Sequence, residues 1–485
     1  MPPTTAEPNA PPRRRPMLRT AALILSGNAT SAALNLLRNL MVARLLDLVD
    51  YGIAASFAVA LAVVEMTSAL GLPQLMVQDR RGDTPTFQAA LQGLQALRGL
   101  LNAGLLLLIA GPLAAFLGTP EASWAYRLLA LVPLLRGFQH FDLVRLGRQM
   151  RYGPAILADA LPILISLGAV WPLYRVFGDY RVLLFAVLIQ WAAALAASHL
   201  LAERPYRLRL AGPAIAASVR FGWPLMLEGL LLFAIFNGDR LIVGRELGPA
   251  ALAVFSMGVT LTLTPTLVLS NSAAHFFLPQ LSAAAGGPDF PPLARATFEL
   301  HLLFGGLTVL AVALLGAPFV QLALGPKYAA LPPLLTWLAI LQGLRVLKGG
   351  GATVSLARAM TGNALIANLI RVALLPFAWL VLTETGSLVP LVCLGILGEL
   401  CGFALALGLA RRRLALALRP LWPAIGLTLA EIAAAVPLAL AQGAGGGAGA
   451  PGLLGLVALL FLLAVLAMGD LRRTIARRSL IRHPD

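Results

Sequence analysis

The stretch Leu37–Gly52, LRNLMVARLLDLVDYG, recurs without gaps 201 residues later as Gly238–Ala253, GDRLIVGRELGPAALA. Aligning Arg44 with Arg245 also matches Leu40 with Leu241, Val42 with Val243 and Leu46 with Leu247. Each copy closes one apolar segment, makes a short acidic or Gly/Pro turn and opens another. The segments that follow end alike, in Pro73-Gln74-Leu75 and Pro279-Gln280-Leu281. A shared pattern at a fixed offset, with shared endings, marks a duplication. The chain reads as two similar halves.

Composition sets the solvent. The 485 residues are 59% hydrophobic and 12% charged, with a mean hydropathy of +0.83. That is far from a soluble domain and indicates a polytopic membrane protein. Uncharged runs such as Val182–Leu201, Leu302–Val320 and Gly452–Gly469 are near the ~20 residues a helix needs to cross hydrocarbon. The net charge of +16 and pI near 11.2 would suggest nucleic acid in a soluble protein. Here the charge sits in short clusters between apolar segments, without a basic face interleaved with aromatics, so nucleic acid is excluded as a partner. The two cysteines, Cys393 and Cys401, lie eight residues apart in one segment, roughly 12 Å along a helix and too far for a disulfide.

Residues 1–16, Pro-rich and closing on Arg13-Arg14-Arg15, read as a disordered cytoplasmic tail. The next segment carries Asn28, Asn35, Arg38 and Asn39 and lacks a small-residue cleavage site, so it reads as a retained first membrane helix. From there the pattern gives about 14 transmembrane helices. The fourth, 125–147, is weakened by Arg127, Arg136, Asp142 and Arg145, and the tenth, 330–357, by Gly349-Gly350-Gly351; twelve or thirteen spans are the alternatives.

Lys and Arg set the orientation. If the N-terminus is inside, the cytoplasmic pieces hold 22 basic residues against four on the other side, Arg175, Arg181, Arg245 and Lys327. Both termini are therefore expected in the cytoplasm, with the run around Gly445-Gly446-Gly447 outside. The longest inner connection, 204–218, divides an N-terminal six-helix lobe, 17–203, from a C-terminal six-helix lobe, 219–412. Two extra helices and a basic cytoplasmic tail fill 413–485. An even number of spans separates the copies, which implies a pseudo-two-fold along the membrane normal and an all-α fold around a central cavity.

Seven cations fall deep within spans: Arg38, Arg98, Arg136, Arg240, Arg345, Lys348 and Arg371. Each costs about 2.5–3.5 kcal/mol if it faces lipid, so most must face protein or water. Arg44, Arg127, Arg145 and Arg220 lie near span ends, where snorkelling accounts for them. On the first helix Asn28, Ser31, Asn35, Arg38 and Asn39 share an arc of about 100°. On the seventh, Glu228 and Asp239 share a face with Arg240 a quarter turn away. Glu65, Arg136 with His140 one turn later, His275, and Arg345 with Lys348 complete the polar set.

Internal pairing, such as Arg38 with Glu65 or Arg240 with Glu228, is the competing explanation. It is weaker for Arg345 and Lys348, like charges three residues apart on a span with no acid of its own. Unpaired buried cations imply a hydrated cavity with an anionic guest. The candidate cavity set is therefore Arg38, Asn35, Asn39, Glu65, Arg136, Glu228, Asp239, Arg240, Arg345 and Lys348. No nucleotide loop, HExxH, GxSxG or Cys/His cluster accompanies them. Transport without catalysis, metal or cofactor is the expectation, compatible with coupling to an ion gradient.

The segment RNLMVARLLDLVDYGIAASFAVALAVVEMTSALGLPQLMVQDRRG, Arg38–Gly82, with Asp50-Tyr51-Gly52, Gly71-Leu72 and Gln78, resembles the opening of Wzx-type oligosaccharide (O-antigen) flippases. Asp239–Phe255 is similar to their corresponding second turn. The resemblance implies a MOP (multidrug/oligosaccharidyl-lipid/polysaccharide) exporter fold in the bacterial inner membrane. The implied substrate is an undecaprenyl-diphosphate-linked oligosaccharide turned outward for lipopolysaccharide or other surface polysaccharide. Membrane lipids, a polysaccharide polymerase and glycosyltransferases are the implied partners. Arg38, Arg240, Arg345 and Lys348 would meet the diphosphate or acidic sugars. Lipid II flippases, multidrug/cation antiporters and a non-transporting scaffold are the alternatives.

Overall fold

The computed structural model describes residues 14–360, 362–443 and 450–480, without the side chains of 14–25, 213–214, 450 and 477–480. Every regular element among them is a helix. The first half contains α1 (Arg14–Leu45), α2 (Leu48–Thr67), α3 (Leu72–Gln78), α4 (Pro85–Phe116), α5 (Ser123–Leu128), α6 (Leu131–Gly137), α7 (Asp142–Arg148), α8 (Gly153–Phe177) and α9 (Arg181–Leu200). The second contains α10 (Gly212–Ala283), α11 (Phe290–Ala323), α12 (Leu331–Ala357), α13 (Gly362–Ala373), α14 (Leu375–Thr385) and α15 (Leu388–Arg413). Then come α16 (Trp422–Gly443), α17 (Ala450–Ala467) and α18 (Gly469–Leu480). Most of the expected tail and the Gly445-Gly446-Gly447 turn lie outside the described residues.

Local chemistry sets the breaks. Asp47 caps α2 by accepting the Asp50 amide at 2.8 Å, and Thr84 caps α4 just before Pro85. The 72 residues of α10 would extend about 108 Å if straight, against ~30 Å of hydrocarbon. The chain turns back at Gly248, whose φ of 76° and ψ of −176° leave the helix, and Pro249 starts the next one. Thus α10 holds both the seventh and eighth expected segments. The eleventh divides at Leu374, where Pro376 follows. The fourth is three short helices, α5 to α7, where Asp142 and Arg145 bind each other and the 203–204 connection instead of extending one span. Buried Asp142 binds Arg145 at 2.5 Å and accepts the Glu203 and Arg204 amides.

Nine of the described helices are long and apolar enough to cross a membrane, ten if 451–467 and 469–476 cross as one bent pair. That count differs from fourteen because α10 passes as one helix, the fourth segment is fragmented, α1 is made more polar by Asn28, Asn35, Arg38 and Asn39, α12 is made more polar by Gln342, Arg345 and Lys348, and α17 counts only with α18. The chain is a multi-pass membrane protein.

The two halves lie side by side, α2 running along the first half of α10. Glycine makes the contact possible: a Cβ on Gly52 would fall 1.8 Å from the Pro249 carbonyl oxygen, and one on Gly229 2.0 Å from that of Met66. We call the side carrying the 79–84, 201–211 and 414–418 connections the basic face, and the side carrying the 46–47, 245–249 and 324–330 turns the opposite face. A buried cluster spans both lobes at the opposite face, joining Val42, Leu46 and Tyr51 to Met257, Leu324 and Tyr328. Another holds α16 and α17 against α11.

Candidate functional site

In the first lobe the carboxylate of Glu65 on α2 stands between two guanidiniums, Arg98 on α4 at 3.5 Å and Arg136 on α6 at 3.4 Å. Arg98 also donates to the Ser68 carbonyl at 3.3 Å, and Arg136 stacks 4.6 Å over the Trp191 ring. Arg38 turns into its own lobe, donating to Ser166 Oγ on α8 at 3.1 Å and to Gln190 on α9. It does not pair with Glu65. Asn35 donates to the Ser31 carbonyl one turn back at 3.1 Å, and Asn39 is half-buried. Two cations thus flank one acid, and Arg38 stands apart from them.

The second lobe repeats the arrangement. Fully buried Glu399 on α15 binds Arg345 at 2.9 Å and Lys348 at 2.5 Å. The sequence reading left this pair without an acid because it searched their own span; the acid comes from a helix 54 residues away. Arg345 also donates to Gln342 at 3.0 Å and lies 5.1 Å over Phe236. Asp239 pairs with Arg371, which is completely buried, rather than with Arg240. Glu228 is exposed and makes no ion pair among the described residues. Arg240 is left with a buried Nε lacking a hydrogen-bond partner. Both it and Arg38 lie within electrostatic reach of Tyr51 at the start of α2. Four cations stand here against two acids.

A cavity of about 160 Å³ opens between α10, α12, α13 and α15, with Arg345, Lys348, Phe236, Ser355 and Asn363 in its wall. Since a water needs about 10–15 Å³ of such space, this one admits several waters or a small anionic group, not a whole lipid-linked glycan. Sequence reasoning placed Arg98 and Arg371 among the deep cations but outside the candidate set, and missed Glu399 there. His140 is fixed away from Arg136: its Nε2 meets the Arg204 carbonyl at 2.9 Å and its Nδ1 accepts the Asp142 amide. His275 is exposed.

At the opposite face the duplicated motif forms a reciprocal latch. Arg44 donates to the Leu322 carbonyl at the end of α11 at 3.2 Å, and its counterpart Arg245 donates to the Phe116 carbonyl at the end of α4 at 3.4 Å. Each lobe reaches across to the other. Lys327 reinforces the first contact by donating to the carbonyls of Arg44, at 2.8 Å, and Leu46. At the basic face Asp79 anchors the 79–84 connection. The hydrogen-bonded Arg81 guanidinium, with Arg148 nearby, holds its carboxyl down at about 2.

Residues 41–333, more than half of the chain, match the family model described as Polysaccharide biosynthesis protein. The chain belongs to that family. The match begins within the first copy of the duplicated motif and contains the second, so the family pattern covers both halves of the latch. No curated protein sequence matches. Among solved structures, this polysaccharide biosynthesis protein is similar to "Lipid II flippase MurJ, inward closed conformation", with a TM-score of 0.69 and 12% identity over 95% of this chain and 100% of that one. It is also similar to an inward-facing multidrug resistance MATE family transporter of the MOP superfamily, TM-score 0.68 at 15% identity, over 79% of this chain and 94% of that one. An outward-facing MATE transporter gives 0.54 at 15% identity over 83% and 96%. The fold is that of the MOP superfamily of membrane transporters.

Proposed function

We propose that the protein translocates an undecaprenyl-diphosphate-linked oligosaccharide across the bacterial inner membrane for surface polysaccharide biosynthesis. The observation that carries the reading is the positive charge left over in each lobe: cations exceed acids by one around Glu65, and by two around Glu399 and Asp239 once Arg240 is counted with Arg345, Lys348 and Arg371. A diphosphate diester carries one negative charge on each phosphate and matches the surplus of two in the second lobe. Buried like charges are costly until an anion neutralises them, and the cavity beside Arg345 and Lys348 has the size of a headgroup rather than of a glycan. The lipid chain would stay in the bilayer and the sugars in the space between lobes.

The basic face is then cytoplasmic, with both termini on that side. The lobes 17–203 and 219–412 rock about the 204–218 connection. The arginine latch shuts the periplasmic side while the substrate enters from the cytoplasmic leaflet, and substrate binding changes the balance through its differential affinity for the two states. Polysaccharide polymerase and glycosyltransferases supply and consume the glycan. No chemical step on the substrate is involved.

The test is glycan export in cells lacking the native protein, with Arg38→Ala, Arg345→Ala and the corresponding Lys variants, membrane abundance being measured alongside. Lys variants retain partial export and Ala variants lose it at normal abundance. Full export from both Ala variants overturns the proposal. A defined-substrate flipping assay that moves lipid II and leaves longer oligosaccharides behind replaces the substrate by the peptidoglycan precursor.

A further inference from the structure

The buried carboxyl of Glu431 takes no part in either cation cluster. It lies on α16, fully buried, and neither of its oxygens has a hydrogen-bond partner. Its Oε2 faces Gly306 of α11, where a Cβ would come within 2.5 Å, and Phe461 of α17 closes the same pocket 3.1 Å from that position. One turn earlier on the same helix face, the Thr428 hydroxyl is also buried and unpartnered.

No charged group compensates it from the surrounding helices. On α11, Glu299 accepts the Asp470 and Leu471 amides, Arg295 binds Asp470 at 2.6 Å, and His301 is turned toward Gly349 and Gly350 of α12. On α12, Arg345 and Lys348 are held by Glu399. The described part of α17, and α16 apart from Glu431, carry no titratable residue. An ionised carboxylate in such a place costs far more than protonation does, so the group keeps its proton.

We propose that Glu431 is a proton-binding site within the membrane, separate from the anion-binding clusters. Losing the proton requires α16 to draw away from Gly306 or a cation to arrive. Proton occupancy is therefore linked to the seating of the α16–α17 pair on α11. That link reaches the transport cavity through one helix: Gly305, beside Gly306, is the surface on which Leu347 and Gly343 of α12 pack, next to Lys348. The assignment does not depend on which lipid is transported.

Dicyclohexylcarbodiimide, an apolar reagent that partitions into membranes, tests it on the full-length protein. The acid proton passes to a carbodiimide nitrogen while the carboxyl oxygen bonds the central carbon, and acyl migration leaves a stable N-acylurea without a leaving group. Peptide mass mapping should find Glu431 labelled at about pH 6–7, less at about pH 9, without protection by sodium, and with no label in Glu431→Gln. Glu399, ionised and paired, should stay unlabelled. The second measurement is thermal stability. Glu431→Gln, isosteric with the protonated acid, should match the native protein only below about pH 4, where the unfolded chain's carboxyl is protonated too, and exceed it increasingly as pH rises above that. Protection by sodium, or parallel pH profiles for the two proteins, overturns the proposal.

Discussion

Replacing Glu399 by Gln removes the one acid that, among the described residues, is bonded to Arg345 and Lys348, and leaves two cations buried and mutually repelling. The carboxylate is fully buried, with contacts of 2.9 and 2.5 Å, so little solvent screens the loss. Breaking a buried pair from one side costs about 3–5 kcal/mol, a large part of the 5–15 kcal/mol or so that holds a typical domain folded. Arg345→Met removes one cation and leaves Lys348 paired with Glu399, at a cost of about 1.5–3 kcal/mol for one charge-assisted bond. Glu399→Gln should therefore lower membrane abundance and the melting temperature in detergent well below Arg345→Met. The double variant Glu399→Gln with Lys348→Met, with one uncompensated cation instead of two, should recover part of the loss. A Glu399→Gln protein as stable as native, with Arg345→Met the more damaged, would refute this electrostatic reasoning.

The remaining expectations concern the seams and loops. Arg44→Ala and Arg245→Ala each remove an exposed cross-lobe bond worth about 0.5–1 kcal/mol, shifting the population toward opening at that face about two- to fivefold. Thiol-reagent access to a cysteine placed in the cavity should rise accordingly, and unchanged access from both variants would exclude the latch. Gly52→Ala puts a methyl into the Pro249 carbonyl and should destabilise by about 1–3 kcal/mol or more, read as lost abundance. Normal abundance would show that the α2–α10 contact is loose. For Asp79, whose folded value of about 2 is below the unfolded 3.8, the contribution is fully present above about pH 4 and lost only as pH falls through about 2. Asp79→Asn should thus leave the melting temperature's pH profile between about 5 and 8 parallel to native, and a divergence there would contradict the assignment.

The duplication, the helical segments and the deep cations were legible because they are written in local pattern: apolar period, charge placement and repeated spacing. Six of the seven deep cations make side-chain hydrogen bonds or ion pairs in buried or half-buried surroundings, and the seventh, Arg240, has a buried Nε without a hydrogen-bond partner. Their partners were not legible, since bonds such as Arg38 to Ser166, 128 residues apart, or Arg345 to Glu399 depend on how helices assemble. Searching only the span of Arg345 for an acid hid Glu399. Arg44 shows the opposite case. Its position at a span end suggested snorkelling, yet its alignment with Arg245 already marked two equivalent groups, and the fold turns them into reciprocal bonds across the lobes. The fourth segment shows how polar satisfaction overrides length: Asp142 and Arg145 bind each other and the 201–204 backbone, so the chain makes short helices where a single span was expected.

The central claim is that the surplus buried cations hold a lipid diphosphate. Its most direct test is the affinity of the purified protein for undecaprenyl diphosphate, measured for native protein, Arg345→Ala, and Arg81→Ala as a control outside the cavity. The account predicts binding weakened roughly ten- to hundredfold by Arg345→Ala, the equivalent of about 1.5–3 kcal/mol, and unchanged by Arg81→Ala. Equal affinity of Arg345→Ala and the native protein would contradict it.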